Sequence, residues 1–505
     1  MYKTIGQLMR KRAEYAGNKA AFQEVDHSIT YMELQSESEK IATAISRFQI
    51  RNQPVVIYLD KGIACVSCML GIMTSGNFYT VLDIAMPADR IQSIHDILQS
   101  AILVTDEKHL HKAKQLNGFK EILVYEEMIK GEADPTLLQT IERCMIDTDP
   151  AYALFTSGST GIPKGTVVSH RAVLSYAQWV CETFAVDRNT IFGNQTPFYF
   201  SMSVLDIYAT IYGQATLCII PKMYFSFPAK LIQYLNEKKI NTIYWVPSAL
   251  CIVANLNTFE SIVPAYLKNI LFAGEVMPTK QLNIWRRYLP NALYANLYGP
   301  TEVCDICTYY IVNREFQDDE PLPIGRACNN CDVFLLNEEN KEAKQGEEGE
   351  LCVRGSFLAN GYYNNQKKSD EVFVSNPLQP HYREMIYRTG DIARYNKFHE
   401  LMYVSRKDYQ IKHMGYRIEL GEIEYAFQSM DGMIGAVCIY LEEKQEIVCF
   451  YQSYTLEEQD IKERAKQKLP RYMWPNVICK VDGIPHNANG KIDRAGIKKQ
   501  YKEEH

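Results

Sequence analysis

Between residues 50 and 300 the chain alternates short apolar runs with longer stretches in which apolar residues recur at helical spacing. The runs 55–59, 216–220, 242–246 and 270–273 have the length and composition of buried strands. Strands that are apolar on both faces are typical of a parallel sheet covered by helices. The pattern therefore predicts an α/β fold with a mainly parallel sheet.

The pattern changes twice towards the C-terminus. From about residue 323 to 403 the strand-like runs shorten and glycines punctuate them, which predicts a small β-rich subdomain. Beyond residue 408, helical spacing at 419–430 and 456–469 flanks strand-like runs at 436–440 and 447–451. We therefore expect two domains, a large N-terminal one over residues 1–407 and a small α+β one over residues 408–505.

Composition and charge narrow the class of protein. The chain has 505 residues, of which 47% are hydrophobic and 23% charged, and its formal net charge is −6. An acidic balance argues against general nucleic-acid binding. No apolar run reaches the roughly 20 residues that span a bilayer, and the first residues lack the apolar core of a signal peptide. We expect a cytoplasmic protein without stable membrane insertion.

The fourteen cysteines include three C-x-x-C pairs, Cys65/Cys68, Cys304/Cys307 and Cys328/Cys331. The last two pairs are spaced much as in a zinc ribbon. However, they lie in apolar, strand-like surroundings, where free cysteine packs as a small hydrophobic residue. We predict buried, reduced thiols, with zinc ligation and disulfides as the alternatives.

The segment 156–165 reads Thr-Ser-Gly-Ser-Thr-Gly-Ile-Pro-Lys-Gly and has the composition of a loop that surrounds a polyphosphate. Glycines allow a close backbone approach, while N–H groups and hydroxyls donate to phosphate oxygens. A strand-like run at 151–155 precedes it and a helical stretch at 169–184 follows it, as in many phosphate sites. The spacing differs from that of a Walker loop. The alternative is a flexible Gly/Ser turn.

Four further segments carry candidate chemistry. Segment 296–302 joins an aromatic ring, a Gly-Pro turn and a carboxylate, and segment 387–391 places an acid after a glycine turn. Segment 405–424 is dense in charge at the proposed domain junction, and segment 487–494 is a glycine-tipped loop with a lysine. Each alone is also compatible with an ordinary turn or a solvated surface. Their order favours an ATP site shared by two domains.

In this order the segments resemble the motifs of the adenylate-forming (ANL) superfamily, which comprises acyl-CoA synthetases, luciferases and the adenylation domains of nonribosomal peptide synthetases. The resemblance runs from about residue 20 to residue 497 and includes segments 76–90, 349–355 and 469–475. Segment 416–424 resembles the amino-acid-activating branch, while segments 272–275 and 408–417 look most like D-alanine–carrier-protein ligases. Because no carrier-protein serine motif follows Lys491, the resemblance implies a standalone enzyme that acts on a carrier in trans.

The resemblance implies ATP and Mg²⁺ as cofactors and two half-reactions. A carboxylate attacks the α-phosphate of ATP to give acyl-AMP and pyrophosphate, and a phosphopantetheine thiol then takes the acyl group as a thioester. Lys491, Glu302, Thr156 and Lys164 are the implied catalytic residues, with Glu302 as the Mg²⁺ ligand, and Asp408 matches the hinge about which the small domain rotates. The implied nucleotide-binding residues are Thr156, Ser157, Gly158, Ser159, Thr160, Gly161, Lys164, Gly274, Glu275, Asn296, Leu297, Tyr298, Gly299, Thr301, Asp391, Arg406 and Lys491.

One position departs from the α-amino-acid activators. Where they carry an Asp that pairs the substrate's α-ammonium, this chain has Ser201, which cannot make a charge-assisted contact. By the same alignment, Asp305 lies on the pocket wall, where it could receive an ammonium or hydroxyl further from the carboxylate. We therefore expect a β-amino, ω-amino or hydroxyaryl acid, with D-alanine as the alternative. The expected substrate-binding residues are Phe200, Ser201, Met202, Leu205, Leu271, Ala273, Leu297, Asp305 and Ile306.

Two other functions stay open at this point. An acyl- or aryl-CoA ligase would differ only in using coenzyme A as the thiol acceptor. A non-catalytic nucleotide-binding module would keep the fold without acid-dependent chemistry, although the presence of Lys491 argues against it.

Overall fold

A computed structural model describes residues 2–157, 162–407, 410–485 and 492–504. The chain forms two compact units. The first unit comprises Met1–Asp83, Leu98–Leu154 and Thr166–Lys407, and the second comprises Ile84–Ile97, Phe155–Gly165 and Asp408–His505. The expected domain boundary after residue 407 stays a prediction.

Helices alternate with strands through most of the first unit, as the apolar periodicity predicts. The described parts of the two units together contain sixteen α-helices. They are α1 (Ile5–Ala16), α2 (Tyr31–Ser46), α3 (Ile63–Thr74), α4 (Ala88–Leu98), α5 (Leu110–Ala113), α6 (Tyr125–Met128), α7 (Pro135–Cys144), α8 (His170–Thr183), α9 (Ser203–Gly213), α10 (Pro228–Glu237), α11 (Pro247–Asn255), α12 (Thr279–Tyr288), α13 (Gln366–Val372), α14 (Leu420–Gln428), α15 (Glu458–Lys468) and α16 (Arg494–Glu504). Short 3₁₀ turns occupy Lys222–Ser226, Thr258–Glu260, Thr301–Val303 and Arg471–Met473.

The strands are short, and most of those between residues 54 and 298 are buried on both faces. They are β1 (Ala20–Gln23), β2 (Ser28–Thr30), β3 (Pro54–Ile57), β4 (Phe78–Val81), β5 (Ile102–Thr105), β6 (Glu121–Val124), β7 (Pro150–Thr156), β8 (Lys164–Ser169), β9 (Ile191–Asn194), β10 (Thr216–Ile219), β11 (Thr242–Trp245), β12 (Asn269–Phe272), β13 (Leu293–Tyr298), β14 (Thr308–Ile311), β15 (Arg326–Ala327), β16 (Cys331–Leu336), β17 (Gly349–Gly355), β18 (Gly361–Tyr362), β19 (Phe373–Ser375), β20 (Met385–Tyr395), β21 (Leu401–Arg406), β22 (Gln410–His413), β23 (Tyr416–Glu419), β24 (Met433–Leu441), β25 (Glu446–Ser453) and β26 (Val477–Lys480).

Three sheets organise the first unit. The nine-stranded sheet has the order β15-β14-β13-β12-β11-β9-β10-β1-β2, and its strands from β13 to β1 run parallel. The seven-stranded sheet has the order β18-β8-β7-β4-β3-β5-β6. The smaller sheet β16-β17-β20-β19, with β21 beside β20, is antiparallel, which confirms the predicted β-rich subdomain.

The second unit contains a three-stranded sheet, β24-β25-β26, with apolar side chains on both faces. One face, which includes Cys438 and Tyr440, packs with α14 and α15, while the alternate residues Val437 and Ile439 pack with Ile497 of α16. This alternation follows from the two-residue period of a strand. The expected α/β class, with predicted strands and helices at their predicted positions, is confirmed.

No helix in the described parts of the chain is long and apolar enough to cross a bilayer. All fourteen cysteines are free thiols in the structure. Across the same described ranges, no group of three or more His, Cys, Asp or Glu side chains is arranged to hold a metal ion.

Candidate active site

The expected adenine-binding residues lie where two neighbouring parallel strands end. β12 leads into Gly274 and Glu275, and β13 ends at Tyr298, so these residues lie at the same sheet edge. Gly274 has a φ of +90°, and a side chain there would meet the sulfur of Met202 at 3.2 Å. The carboxylate of Glu275 accepts a hydrogen bond from the Ser248 N–H at 2.9 Å. Gly274, an expected adenine-binding residue, is therefore packed closely against Met202, an expected acid-binding residue.

Glycine is required at the turn that follows β13. A Cβ atom on Gly299 would lie 2.4 Å from the carbonyl oxygen of Asp305, which is too close for any side chain. On the strand itself, the Asn296 amide donates to the Pro323 carbonyl at 2.8 Å, and Leu297 is buried. This close packing fixes the direction in which the 299–305 segment leaves the sheet.

The residues expected to bind adenine and ribose contact each other directly. The Tyr298 hydroxyl donates to the Asp391 carboxylate, whose other oxygen lies 2.9 Å from the Arg406 guanidinium. Asp391 and Arg406 are register partners on β20 and β21. Burial and the Asp391 charge raise the pKa of Tyr298 well above its ordinary value, so its hydroxyl stays a donor. The three residues form one polar cluster in which Tyr298 and Asp391 are buried and Arg406 is half-buried.

The proposed magnesium ligand, Glu302, lies in the 3₁₀ turn Thr301–Val303 and is fully buried. One carboxylate oxygen accepts a hydrogen bond from the Tyr362 hydroxyl at 2.6 Å. Magnesium commonly takes one or two protein carboxylates and completes its shell with water and substrate phosphates. A single carboxylate that Tyr362 orients, in the turn that follows β13, therefore fits the expected ion.

The expected acid-binding residues are mostly apolar and buried. Met202, Leu205, Leu271, Ala273, Leu297 and Ile306 are buried, whereas Phe200 and Ser201 are half-buried. The Thr301 hydroxyl donates to the Ser201 hydroxyl at 3.2 Å. This contact joins Ser201, which replaces the Asp of α-amino-acid activators, to the turn that carries Glu302.

Asp305 is held by two tyrosines that the sequence analysis did not select. Its Oδ2 accepts hydrogen bonds from the Tyr176 hydroxyl at 2.8 Å and the Tyr244 hydroxyl at 3.0 Å, and all three side chains are buried. Burial and the Asp305 charge raise the pKa of both tyrosines well above the ordinary value. A carboxylate with these protonated donors is oriented and kept in place.

A second polar network was also missed by the sequence analysis. The Lys61 amine donates to the Gln195 carbonyl at 3.0 Å and to the Asn194 carbonyl at 3.4 Å. The Asn194 amide donates to the Asp206 carboxylate at 2.6 Å. Because Asn194 pairs with Tyr244 on the neighbouring parallel strand, this network lies beside the Asp305 cluster. A lysine among strand-like runs gives no sequence signal for such a role.

In the second unit, the described part of the phosphate segment contacts β23. The Ser157 hydroxyl donates to the Arg417 carbonyl at 2.7 Å and accepts from the Glu419 N–H at 3.1 Å. The Lys164 amine lies 3.5 Å from the Glu419 carboxylate. The Thr156 hydroxyl oxygen is buried without a hydrogen-bond partner among the described residues. An unpartnered hydroxyl at the start of this segment fits an added acceptor such as a phosphate oxygen.

Several predicted site residues lie outside the described part of the chain. They are Gly158, Ser159, Thr160, Gly161, Asp408 and Lys491. The expected roles of the phosphate glycines, the hinge and the catalytic lysine therefore stay predictions.

Comparison with known proteins gives a family match over most of the chain. The family described as "AMP-binding enzyme" matches residues 9–363. The D-alanine--D-alanyl carrier protein ligase of Bacillus licheniformis is 30% identical over 98% of this chain and 99% of its own length. The L-proline--[L-prolyl-carrier protein] ligase of Pseudomonas fluorescens is 29% identical over 98% of both chains. Tyrocidine synthase 1 of Brevibacillus parabrevis is also 30% identical, but this chain spans only 45% of its length.

Solved structures with the same fold are more distant in sequence. Holo-PA1221, a nonribosomal peptide synthetase protein with adenylation and carrier domains, has a TM-score of 0.85 at 22% identity, covering 99% of this chain and 84% of its own. The Vibrio cholerae adenylation domain AlmE, in complex with glycyl-adenosine-5'-phosphate, has a TM-score of 0.84 at 22% identity. The match covers 100% of this chain and 98% of AlmE. The Bacillus subtilis o-succinylbenzoate CoA synthetase MenE has a TM-score of 0.84 at 18% identity, and the match covers 97% of this chain and 98% of MenE. These likenesses establish the fold.

Proposed function

The chain belongs to the AMP-binding enzyme family of adenylate-forming ligases, and from that premise we propose that it activates a small carboxylic acid for a carrier protein. The acid attacks the α-phosphate of ATP, forming the acyl–phosphate bond of acyl-AMP and releasing pyrophosphate. The observation that carries the proposal is the hydrogen-bonded Tyr298–Asp391–Arg406 cluster, which lies in the first unit with the oriented carboxylate of Glu302.

Each part of the nucleotide has a matching group in the chain. Tyr298 and the glycine turn at Gly274 offer a flat, close-packed surface for a base, and Asp391 offers acceptors to ribose hydroxyls. Glu302 would hold Mg²⁺, which when bound neutralises phosphate charge. Thr156 and Lys164 offer a hydroxyl and a cation to the leaving phosphates. Lys491 is proposed to stabilise the charge that develops between the substrate carboxylate and the α-phosphate.

The second half-reaction is thioester formation. The thiol of a phosphopantetheinylated carrier protein attacks the acyl carbon, its proton leaves with solvent, and the bond to AMP breaks. Two relatives that match this chain over nearly their whole lengths are named as carrier-protein ligases, which supports a carrier acting in trans. Coenzyme A is the alternative acceptor. Parallel assays of acyl transfer to holo-carrier proteins and to coenzyme A distinguish the two.

We propose that the acid is not a simple α-amino acid. Ser201 is engaged with the Thr301 hydroxyl and brings no charge to an α-ammonium, which would pay for desolvation without a charged partner there. The fixed carboxylate of Asp305 instead suits an ammonium or hydroxyl further along the substrate. Buried apolar residues such as Leu205 and Ile306 favour a small or largely apolar body. A β-amino, ω-amino or hydroxyaryl acid meets these requirements.

ATP–pyrophosphate exchange over a panel of acids tests this function. The panel contains D-alanine, L-amino acids, β-alanine, ω-amino acids, hydroxybenzoates and short fatty acids. We expect exchange with one non-α-amino acid and at least a hundredfold loss in a Lys491→Ala variant, since a transition-state contact is removed. Exchange with D-alanine alone would contradict the substrate proposal and favour the activity named for the Bacillus licheniformis relative. Complete absence of acid-dependent exchange would favour a non-catalytic nucleotide-binding module.

A further inference from the structure

The loop 195–202 connects β9 to α9 and carries two expected acid-binding residues, Ser201 and Met202. Its N-terminal end follows Asn194, and its C-terminal end leads into α9, on which Asp206 lies. The Ser203 hydroxyl closes the last turn of the loop by donating to the Phe200 carbonyl at 2.7 Å. The position of Ser201 therefore depends on how both ends of this loop are held.

Lys61 holds the N-terminal end of the loop by direct hydrogen bonds. At one end its amine donates to the Asn194 and Gln195 carbonyls and lies 5.8 Å from the centre of the Phe198 ring. At the other end Asp206 accepts a hydrogen bond from the Asn194 amide, so it is joined to Lys61 through Asn194, and its charge raises the pKa of Lys61. Lys61 follows β3 of the seven-stranded sheet, whereas the loop leaves the nine-stranded sheet. The contact therefore joins the loop that follows β9 to the segment that follows β3 of the other sheet.

Asp206 adds a buried acidic group to the surroundings of Lys61. Asp206 is fully buried, and its Oδ1 has no hydrogen-bond partner among the described residues. Burial raises the pKa of Asp206 to about 8 and lowers the pKa of Lys61 to about 7, and the opposite charge of the other group reduces each shift. Removing the Lys61 amine would leave the Asn194 and Gln195 carbonyls without its hydrogen bonds.

We propose that Lys61 is a positioning residue for the acid pocket: it holds loop 195–202 so that Ser201 and Met202 meet the substrate. The inference rests on the proposed adenylation function. It assigns Lys61 no contact with ATP or with the reacting atoms. Losing hydrogen bonds from a charged donor changes an equilibrium by about 10- to 100-fold. We therefore expect the KM for the acid to rise by that factor while the KM for ATP changes less than about twofold.

Lys238 provides a matched control. Its amine also donates to two successive backbone carbonyls, those of Glu24 at 3.4 Å and Val25 at 3.2 Å, and it lies 5.8 Å from the centre of the Tyr234 ring. This lysine has the same kinds of contact in the same unit but holds residues outside loop 195–202. A general loss of stability should therefore appear in both variants, and a change in acid binding only in one.

The test compares Lys61→Met, Lys61→Arg and Lys238→Met in pyrophosphate exchange. The proposal requires a raised acid KM in Lys61→Met, substantial recovery in Lys61→Arg, which keeps a cationic donor, and wild-type constants in Lys238→Met. A wild-type acid KM in Lys61→Met, or equal rises in the acid and ATP KM, would overturn it. If Lys61→Met does not fold, Lys61→Gln replaces it, because the amide keeps a neutral donor of similar reach.

Hydrogen exchange separates this proposal from the proposed function. Backbone amides of residues 195–202 should exchange about tenfold faster in Lys61→Met than in the wild type. In Lys238→Met their exchange rates should equal those of the wild type. This result is expected even if no acid supports pyrophosphate exchange. Unchanged protection of residues 195–202 in Lys61→Met would refute the positioning role, whatever the enzyme activates.

Discussion

The Tyr298 hydroxyl and the Asp391 carboxylate are joined by a buried hydrogen bond, and Arg406 holds the other carboxylate oxygen at 2.9 Å. The residue expected to stack on adenine therefore also orients the residue expected to bind ribose. In such an arrangement the base and sugar sites form a single unit, because a shift of the tyrosine ring carries the carboxylate with it. This relationship makes the nucleotide site sensitive to one hydroxyl.

We predict that Tyr298→Phe raises the KM for ATP about tenfold and leaves the KM for the acid nearly unchanged. The phenyl ring keeps the stacking surface but leaves a buried carboxylate oxygen without its donor, which costs about 1–3 kcal/mol. Pyrophosphate exchange at varied ATP measures the effect. Tyr294→Phe is the control, because it removes a hydrogen bond to the Leu289 carbonyl at the opposite end of β13. An unchanged KM for ATP would show that the hydroxyl does not orient Asp391.

Asp305→Asn should change which acids are accepted. An amide keeps the size of the side chain but loses its charge, so an ammonium-bearing acid should lose about 10- to 100-fold in kcat/KM. A neutral isostere of the same length, with a methyl group in place of the ammonium, should change less than about threefold. Exchange measured separately with each acid, in the variant and in the wild type, gives the two ratios of kcat/KM. Equal losses for both acids would indicate that Asp305 has only a structural role.

Tyr362→Phe tests the magnesium site without touching its expected ligand. Tyr362 donates to Glu302 at 2.6 Å, and groups that orient a metal ligand typically contribute about 10-fold or more to metal affinity. We therefore expect a roughly tenfold higher Mg²⁺ concentration for half-maximal exchange. The neighbouring Tyr363, whose ring packs on Phe78 at 5.5 Å, provides the control substitution Tyr363→Phe. The prediction is wrong if Tyr362→Phe and Tyr363→Phe both reach half-maximal exchange at the Mg²⁺ concentration that the wild type requires.

The sequence predicts the α/β class and the main elements because hydrophobic periodicity is a local signal. The run 242–246 is a buried strand and the stretch 169–184 contains α8, as predicted. That both elements direct a tyrosine to Asp305 could not be predicted in this way. Tyr176 and Asp305 are 129 residues apart, and their contact depends on how α8 packs on the nine-stranded sheet. In strand 242–246 the pattern indicates only that Tyr244 is buried.

The same limit applies to Lys61. Its neighbours along the chain suggest an ordinary turn after β3, while its hydrogen-bond acceptors lie more than 130 residues away, at residues 194 and 195. By contrast, motif order was sufficient to select Tyr298, Asp391 and Arg406, which the structure brings into contact. The sequence motifs thus identified the expected site residues, and the structure adds the residues that orient them.

His170 provides a prediction about stability and pH. It is fully buried at the start of α8, and its Nδ1 accepts the Ile5 N–H at 3.4 Å. Burial lowers the pKa of His170 from its ordinary value of 6.5 to about 4. Between these values the unfolded chain binds a proton that the folded chain does not, so folding loses stability as pH falls from 6.5 towards 4. The full effect of such a shift is about 3 kcal/mol.

His170→Gln isolates this contribution, because glutamine can accept from the same N–H but does not titrate. We expect the urea midpoint of the wild type to fall, relative to that of His170→Gln, as pH is lowered from 7 to 4.5. Other groups titrate in this range in both proteins, so the difference between the two curves reports His170. Parallel curves would mean that the imidazole reaches water when protonated. Above pH 7, where the histidine is neutral in both states, the difference between the two urea midpoints should stay constant.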